Sequence, residues 1–137
     1  MATILCIETA TTNCSVALSV SGSVIALKED YNNIYAHAER LHVYIEEILL
    51  KNNISKSQLN AIAVSKGTGS YTGLRIGVSA AKGLCFALEI PLISIPTLDS
   101  LAYQIKEKEG LIVSMLDARR MEVYSAVYST ENKKQLR

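Results

Sequence analysis

The chain has 137 residues, 49% of them apolar and 20% charged. That composition excludes a disordered chain, and the length gives one domain or slightly more, enough to bury a core without disulfides or metals. Fourteen Lys and Arg stand against thirteen Asp and Glu, a net charge of +1, so no basic field advertises nucleic acid. No apolar run approaches the ~18 residues that span a bilayer. Met1 to Leu5 brings no Lys or Arg ahead of its apolar run, unlike a secretory leader. Three cysteines, Cys6, Cys14 and Cys85, without a C-x-x-C, read as small buried hydrophobes in a reducing compartment.

Thr3 to Glu8 is a short run of β-formers and predicts a central strand. Ala10 to Asn13 is a polar turn. Cys14 to Val20 alternates as a second strand, Ser21-Gly22-Ser23 is a tight connection, and Val24 to Lys28 is the third strand of a meander. Tyr31 to Tyr35 reads as a loop. A helix then runs from about Ala36 to Lys51, with Leu41, Ile45, Ile48 and Leu49 on its buried face. Val43 and Leu50, a heptad apart beside Glu47, make a second, thinner stripe on the opposite face, which reads either as incidental exposed residues or as a contact with another helix. Asn52-Asn53 closes this helix.

Leu59 to Ser65 is the fourth strand and Lys66 to Thr72 a glycine-rich turn. The helix from Gly73 to about Leu88 is stopped by Glu89-Ile90-Pro91. Leu92 to Ile95 is the fifth strand, and Thr97 is the expected N-cap of a helix reaching Lys108. Gly110 then resets the pattern. Leu111 to Leu116 and Met121 to Tyr128 are strands six and seven around the turn Asp117 to Arg120, and a polar tail follows. The expected architecture is α/β: a mixed five-stranded sheet with helices on both faces over residues 1–109, then the first hairpin of a second lobe over 110–137.

The stretch from Gly67 to Gly77, G-T-G-S-Y-T-G-L-R-I-G, follows a strand and opens a helix, a place where backbone N–H groups hold anions. It matches a P-loop only weakly: Gly67 to Gly73 is one residue too long, and Leu74-Arg75 replaces the Lys-Ser/Thr pair. The match to a dinucleotide fingerprint is weak as well: Gly67 and Gly69 fit G-x-G, but Thr72 stands where the third glycine belongs. The plain reading is a structural turn built from Gly67, Gly69, Ser70, Thr72 and Gly73, capped by Ser70 or Thr72. Within the helix, Gly73, Gly77, Ala80 and Ala81 share one face. Ser79, Gly83 and Ala87 form a second row of small residues, and Arg75, Ser79, Lys82 and Phe86 the remaining stripe. A mid-helix glycine costs ~1 kcal/mol relative to alanine, so Gly77 and Gly83 imply close backbone approach, one row to the sheet and the other to a neighbouring helix.

Three other places draw attention. His37 and His42 lie five apart on a helix, about 140° around it, and do not share an ion; they read as a solvated face. Glu8 followed by Thr9-Ala10-Thr11-Thr12 is an acidic strand end with a Thr-rich turn, the arrangement with which actin-like folds meet phosphate and magnesium, here with Glu for Asp. Asp117-Ala118-Arg119-Arg120-Met121-Glu122 mixes both charges and reads as a salt-bridged turn or a docking surface.

Taken together, I-E-T-A-T-T-N-C-S-V-A-L, G-T-G-S-Y-T-G-L-R-I-G-V-S-A-A-K-G-L and D-A-R-R-M-E-V-Y-S-A-V-Y resemble the bacterial TsaB (YeaZ) family, from Thr3 to about Tyr128. Thr68 departs from the family's usual Pro, and most of the family's second lobe has no counterpart here. The resemblance implies an actin-like (ASKHA, ribonuclease H-like) fold and kinship with TsaD, the catalytic subunit once called a glycoprotease. With TsaD and the ATPase TsaE, the family serves threonylcarbamoylation of the adenosine next to the tRNA anticodon. TsaB is the scaffold of that set. The resemblance aligns Thr97 and Leu101 with the two metal-binding histidines of the catalytic paralogue, so no metal, cofactor or catalytic residue is expected. It further implies that the first two helices form a bundle with the same helices of a partner. The expected interface is Val43, Glu47, Leu50, Arg75, Ser79, Lys82, Gly83 and Phe86. The expected partners are a TsaD-like subunit, a TsaE-like ATPase in the complex, or a second copy when alone, with tRNA met only through the complex, in the cytoplasm. The alternative function is an ATP-using actin-like enzyme such as a small-molecule kinase, which needs a second phosphate loop and an adenosine pocket in the second lobe. A proteolytic enzyme is a distant third, for want of a nucleophile, base or metal set.

Overall fold

A computed structural model describes residues 1–31 and 37–136. The expected loop beyond Tyr31 and the helix start at Ala36 lie outside the described residues. Strands β1 (Thr3–Glu8), β2 (Cys14–Val20) and β3 (Ser23–Asp30) form the antiparallel meander. Its tight turn, Ser21-Gly22, has positive φ at both residues, which matches the twist of the strands it joins. β4 (Ala61–Gly67) pairs parallel to β1, and β5 (Leu92–Pro96) parallel to β4, giving the order β3-β2-β1-β4-β5.

Helices α1 (His37–Lys51) and α2 (Tyr71–Leu88) share one core with this sheet. Leu5, Ile7, Val16, Leu18, Ile62 and Val64 rise from the strands at every second position. They meet Leu41, Ile45, Ile48 and Leu49 of α1 and Ala80, Ala81 and Cys85 of α2. The helical period selects the buried side of α1 as expected, and adds Tyr44, whose hydroxyl donates to Asp30 at 3.1 Å. Arg40 pairs with the same carboxylate.

Element boundaries moved where local chemistry outweighs pattern. β4 begins two residues later than expected, because Leu59 is buried as part of a turn; a one-turn 3₁₀ segment, Lys56–Gln58, precedes it, with Ser55 and Gln58 closing a capping box. α2 starts two residues early, since Ser70 and not Thr72 is its cap, accepting from the Gly73 N–H at 3.2 Å. Thr97 is not a cap. It is the first residue of α3 (Thr97–Tyr103), with Pro96 at the capping position. α3 stops five residues short of Lys108 because residues 103–110 are all exposed: a charged segment with nothing to bury has too little to hold it helical.

The last strands, β6 (Leu111–Arg119) and β7 (Glu122–Ser129), form a separate two-stranded sheet. β6 runs through the expected turn at Asp117. The reversal lies at Arg120-Met121, where Arg119, Arg120 and Met121 all have positive φ, and Met121 is fully exposed rather than in a strand. No ion pair closes this turn among the described residues; the Asp117 carboxylate accepts from the Arg119 N–H at 2.8 Å. The tail is more than a polar end: Gln135 bridges Tyr128, and the Leu136 N–H donates to the Val127 carbonyl at 2.7 Å.

A second core joins this hairpin to α3. It holds Leu98 and Ala102 against Ile112, Ala126 and Tyr128. The Tyr128 hydroxyl donates to Asp99 at 2.6 Å. Burial and the Asp99 carboxylate push the Tyr128 pKa up from 10.0 to about 12. Its contribution is therefore complete below pH 10 and is lost as the pH rises from 10 to 12, because the unfolded tyrosine ionises first. Tyr128→Phe is expected to cost about 1–2 kcal/mol in urea unfolding at pH 7 and to flatten the stability loss between pH 10 and 12. An unchanged alkaline slope in the variant would contradict this.

Candidate functional site: the outer face of the first two helices

The orientation of α2 is set by glycines. A Cβ on Gly73 would stand 2.1 Å from the Thr9 carbonyl oxygen, and one on Gly77 would stand 2.2 Å from Thr9 Oγ1. Only glycine permits that approach. Thr9 uses it, its buried hydroxyl donating to the Gly73 carbonyl at 2.7 Å. Gly69, at φ +150°, lets Ser70 N–H reach the Ala10 carbonyl at 2.7 Å, and a side chain there would strike Ala10. The β1–β2 turn and the start of α2 thus meet backbone to backbone. Gly67, Gly69, Ser70, Thr72 and Gly73 all lie at this junction, with Thr72 exposed. Glu8 serves the same turn, its carboxylate accepting from the Ala10 N–H at 2.8 Å and from the Ser65 hydroxyl.

With one row of small residues fixed inward, the other faces out. Among the described residues, nothing lies within 4 Å of where a Gly83 Cβ would be. Arg75, Ser79, Lys82 and Phe86 are exposed on the same side of α2, Phe86 at 88%. On α1, which packs beside α2, Val43 and Leu50 are 51% and 74% exposed. Glu47 is half-buried between them, 2.9 Å from Lys28, which holds its carboxyl below the usual range. The Arg75 guanidinium lies 5.5 Å from the Tyr71 ring centroid. The eight residues expected at an interface thus lie on the outer sides of two adjacent helices, and the five turn residues lie elsewhere, at the start of α2.

One feature of that second place escaped the sequence. A cavity of about 700 Å³ lies between the Ala10–Thr12 turn, the start of α2, and Leu116–Arg119 with Tyr124 of the hairpin. His37 lines it and, unlike exposed His42, is not on a solvated face. It is 4% exposed, and its Nε2 donates to the Thr11 carbonyl at 2.8 Å, while its Nδ1 has no partner. Only the pairing of residues 26 apart in sequence exposes this role, and helical period does not report it. Thr97 is buried and Leu101 joins the second core. A lone hydroxyl and a hydrocarbon do not make an iron or zinc site. No group of three or more His, Cys, Asp or Glu is placed to hold a metal among the described residues. Cys14 and Cys85 are buried and Cys6 half-buried, all reduced, with burial pushing each thiol pKa up. No helix among the described residues is long and apolar enough to cross a membrane.

Comparison with known proteins places this architecture. The sequence model of the family described as TsaD: tRNA N6-adenosine threonylcarbamoyltransferase matches residues 32–135. The tRNA threonylcarbamoyladenosine biosynthesis protein TsaB of Escherichia coli (strain K12) is 38% identical over 93% of this chain and 55% of its own length. Its counterpart in Bacillus subtilis (strain 168) is 37% identical over 95% and 56%. The structure of YeaZ from Pseudomonas aeruginosa superposes with a TM-score of 0.85 at 31% identity, over 98% of this chain and 63% of that one. The chain thus spans little more than half the length of the curated relatives it matches. Sequence, motif and superposition agree that this chain belongs to the TsaB (YeaZ) family, within the larger TsaD family, and that its five-stranded sheet is an actin-like first lobe.

Proposed function

We propose that this protein is a non-catalytic assembly subunit for threonylcarbamoylation of the adenosine beside the tRNA anticodon. It binds a TsaD-like catalytic subunit through the outer face of α1 and α2, and through that subunit a TsaE-like ATPase. It meets tRNA only within the complex, in the cytoplasm. When alone it pairs with a second copy through the same face, so the two complexes compete. Residues 1–109 are its first lobe and 110–137 open a second.

The observation that carries this reading is Gly83. A mid-helix glycine costs ~1 kcal/mol, and Gly83, unlike Gly73 and Gly77, has no close neighbour among the described residues. Beside it, Phe86, Val43 and Leu50 are exposed on adjacent helices. Burying such a surface is worth roughly 25 cal/mol per Å². Glu47 on α1 and Arg75 and Lys82 on α2 add opposite charges, which suit an isologous pairing with α2 close to the two-fold axis. The relatives' names supply the pathway.

Gly83→Leu tests it. Leucine meets open space in the isolated chain and improves helix propensity, so the variant is expected to fold and to be slightly more stable. Light scattering should find it monomeric at concentrations where the parent is dimeric, and pull-down should find binding to the TsaD-like subunit weakened by an order of magnitude or more. If it associates as the parent does, the surface lies elsewhere. A second reading, an ATP-using actin-like enzyme, is favoured by one observation, the cavity at the start of α2. Saturable ATP binding, measured by calorimetry, would favour it over the scaffold.

A further inference from the structure

We propose that two copies of this chain pair with their two-fold axis running along the helices, so that α1 of each lies parallel to α2 of the other in one fixed register. The inference rests on the pairing through the outer face proposed above, and adds its direction and its rungs.

Both helices carry the same exposed pattern. On α1, Glu39, Val43, Glu46 and Leu50 follow one another along the outer side. On α2, Arg75, Ser79, Lys82 and Phe86 do the same. Each residue of the second stripe stands 36 positions after its counterpart in the first, from 75 against 39 to 86 against 50. Steps of four, three and four residues keep each stripe on one helix face. Rung by rung the chemistry is complementary: acid with base, valine with serine, acid with base, leucine with phenylalanine.

The fold sets the two stripes level. β3 and β4 both run parallel to β1, and β5 to β4. Each long helix lies between two of these strands in the chain, so α1 and α2 run the same way. Their first turns are tied to one place, the β1–β2 turn. His37 donates to the Thr11 carbonyl at 2.8 Å, and the Gly73 carbonyl accepts from the Thr9 hydroxyl at 2.7 Å. His37 and Gly73 are again 36 apart, 73 against 37, so Glu39 and Arg75 begin their stripes at the same height.

Symmetry does the rest. When two such helix layers meet face to face, an axis along the helices preserves height and sets α1 across from the second copy's α2. Glu39 then meets Arg75, Glu46 meets Lys82 and Leu50 meets Phe86. An axis across the helices sets α1 against its own copy, antiparallel, and brings Glu39 to Leu50. It likewise brings Arg75 to Phe86. Charge against countercharge is favoured over charge against hydrocarbon. The charges are available: Glu39, Arg75 and Lys82 make no ion pair among the described residues, and Glu46, which binds Lys56, keeps 54% of its side chain exposed.

Charge exchange on the full chain tests the register, read as the dimer dissociation constant in analytical ultracentrifugation. Glu46→Lys and Lys82→Glu each place like charges on both symmetric copies of one rung, and each is expected to weaken the dimer about tenfold or more. Both positions are exposed, so the circular dichroism spectrum should match that of the parent. The double variant restores both rungs with the charges exchanged, and its constant should return to within about threefold of the parent's. An equimolar mixture of the two single variants should form the mixed dimer in preference to either homodimer. Three results overturn the proposal: single variants that dimerise as the parent does, losses that add in the double variant, or charge variants that lose only the TsaD-like subunit. Gly83→Leu keeps the two readings apart. If it abolishes the dimer while charge exchange fails to rescue, the face stands and the register falls. If it dimerises as the parent does, the assembly reading falls.

Discussion

Gly73→Ala is expected to cost about 3 kcal/mol or more, a large share of the total stability of a domain this size. The new methyl would stand 2.1 Å from the Thr9 carbonyl oxygen, and its neighbour there is backbone in the β1–β2 turn, not the yielding end of a long side chain. Either α2 lifts from the sheet or the turn retreats. Both break the bond from the Thr9 hydroxyl to the Gly73 carbonyl and leave a buried polar pair unsatisfied. Alanine is the better helix former, so propensity alone predicts the opposite sign. Urea unfolding decides between them: a variant as stable as the parent would mean that the turn moves freely.

The second large effect concerns α1. Leu41 is fully buried near the start of that helix and faces the sheet core. Leu41→Ala should cost about 3 to 4 kcal/mol, from lost transfer energy and from the cavity left behind. Association should weaken as well, but only as far as α1 loses its place. The contrast with Gly83→Leu is the point of the experiment. One variant lowers stability and carries association down with it. The other leaves stability intact and removes association. Should Leu41→Ala unfold at the parent's urea midpoint, α1 would contribute less to the core than its burial implies.

Much of this protein is legible from its residues alone. The five strands of the main sheet and both long helices follow from apolar runs, alternation and turn signals, and β1, β2, α1 and α2 each bury one regular face. The glycine-rich turn announced itself, but its purpose did not: Gly73 and Gly77 accommodate Thr9, more than sixty residues earlier, and no local pattern encodes that. His37 was misread for the same reason, since its partner Thr11 belongs to a distant turn. The end of α3 was misjudged because Lys106 to Glu109 are good helix formers, and propensity without a face to bury does not sustain a helix. The β6–β7 reversal moved because Asp117 and Arg119 look like turn residues and yet sit paired opposite Val123 and Glu122.

The parallel pairing of β1 with β4 has a bearing on how the chain is made. Ile4 lies opposite Ala61 and Ile7 opposite Val64, and Thr9 waits for Gly73. At ribosomal rates of 5–20 residues per second, β1 stays one-sided for roughly 3–12 s after it emerges. Through that interval its free edge carries Leu5, Ile7 and their unpaired amides, a template for any other strand that passes. The meander cannot complete itself with local contacts, because its missing neighbour lies beyond a whole helix. High contact order of this kind slows folding, so nascent chains of this protein should lean on chaperones until β4 has emerged more than after it.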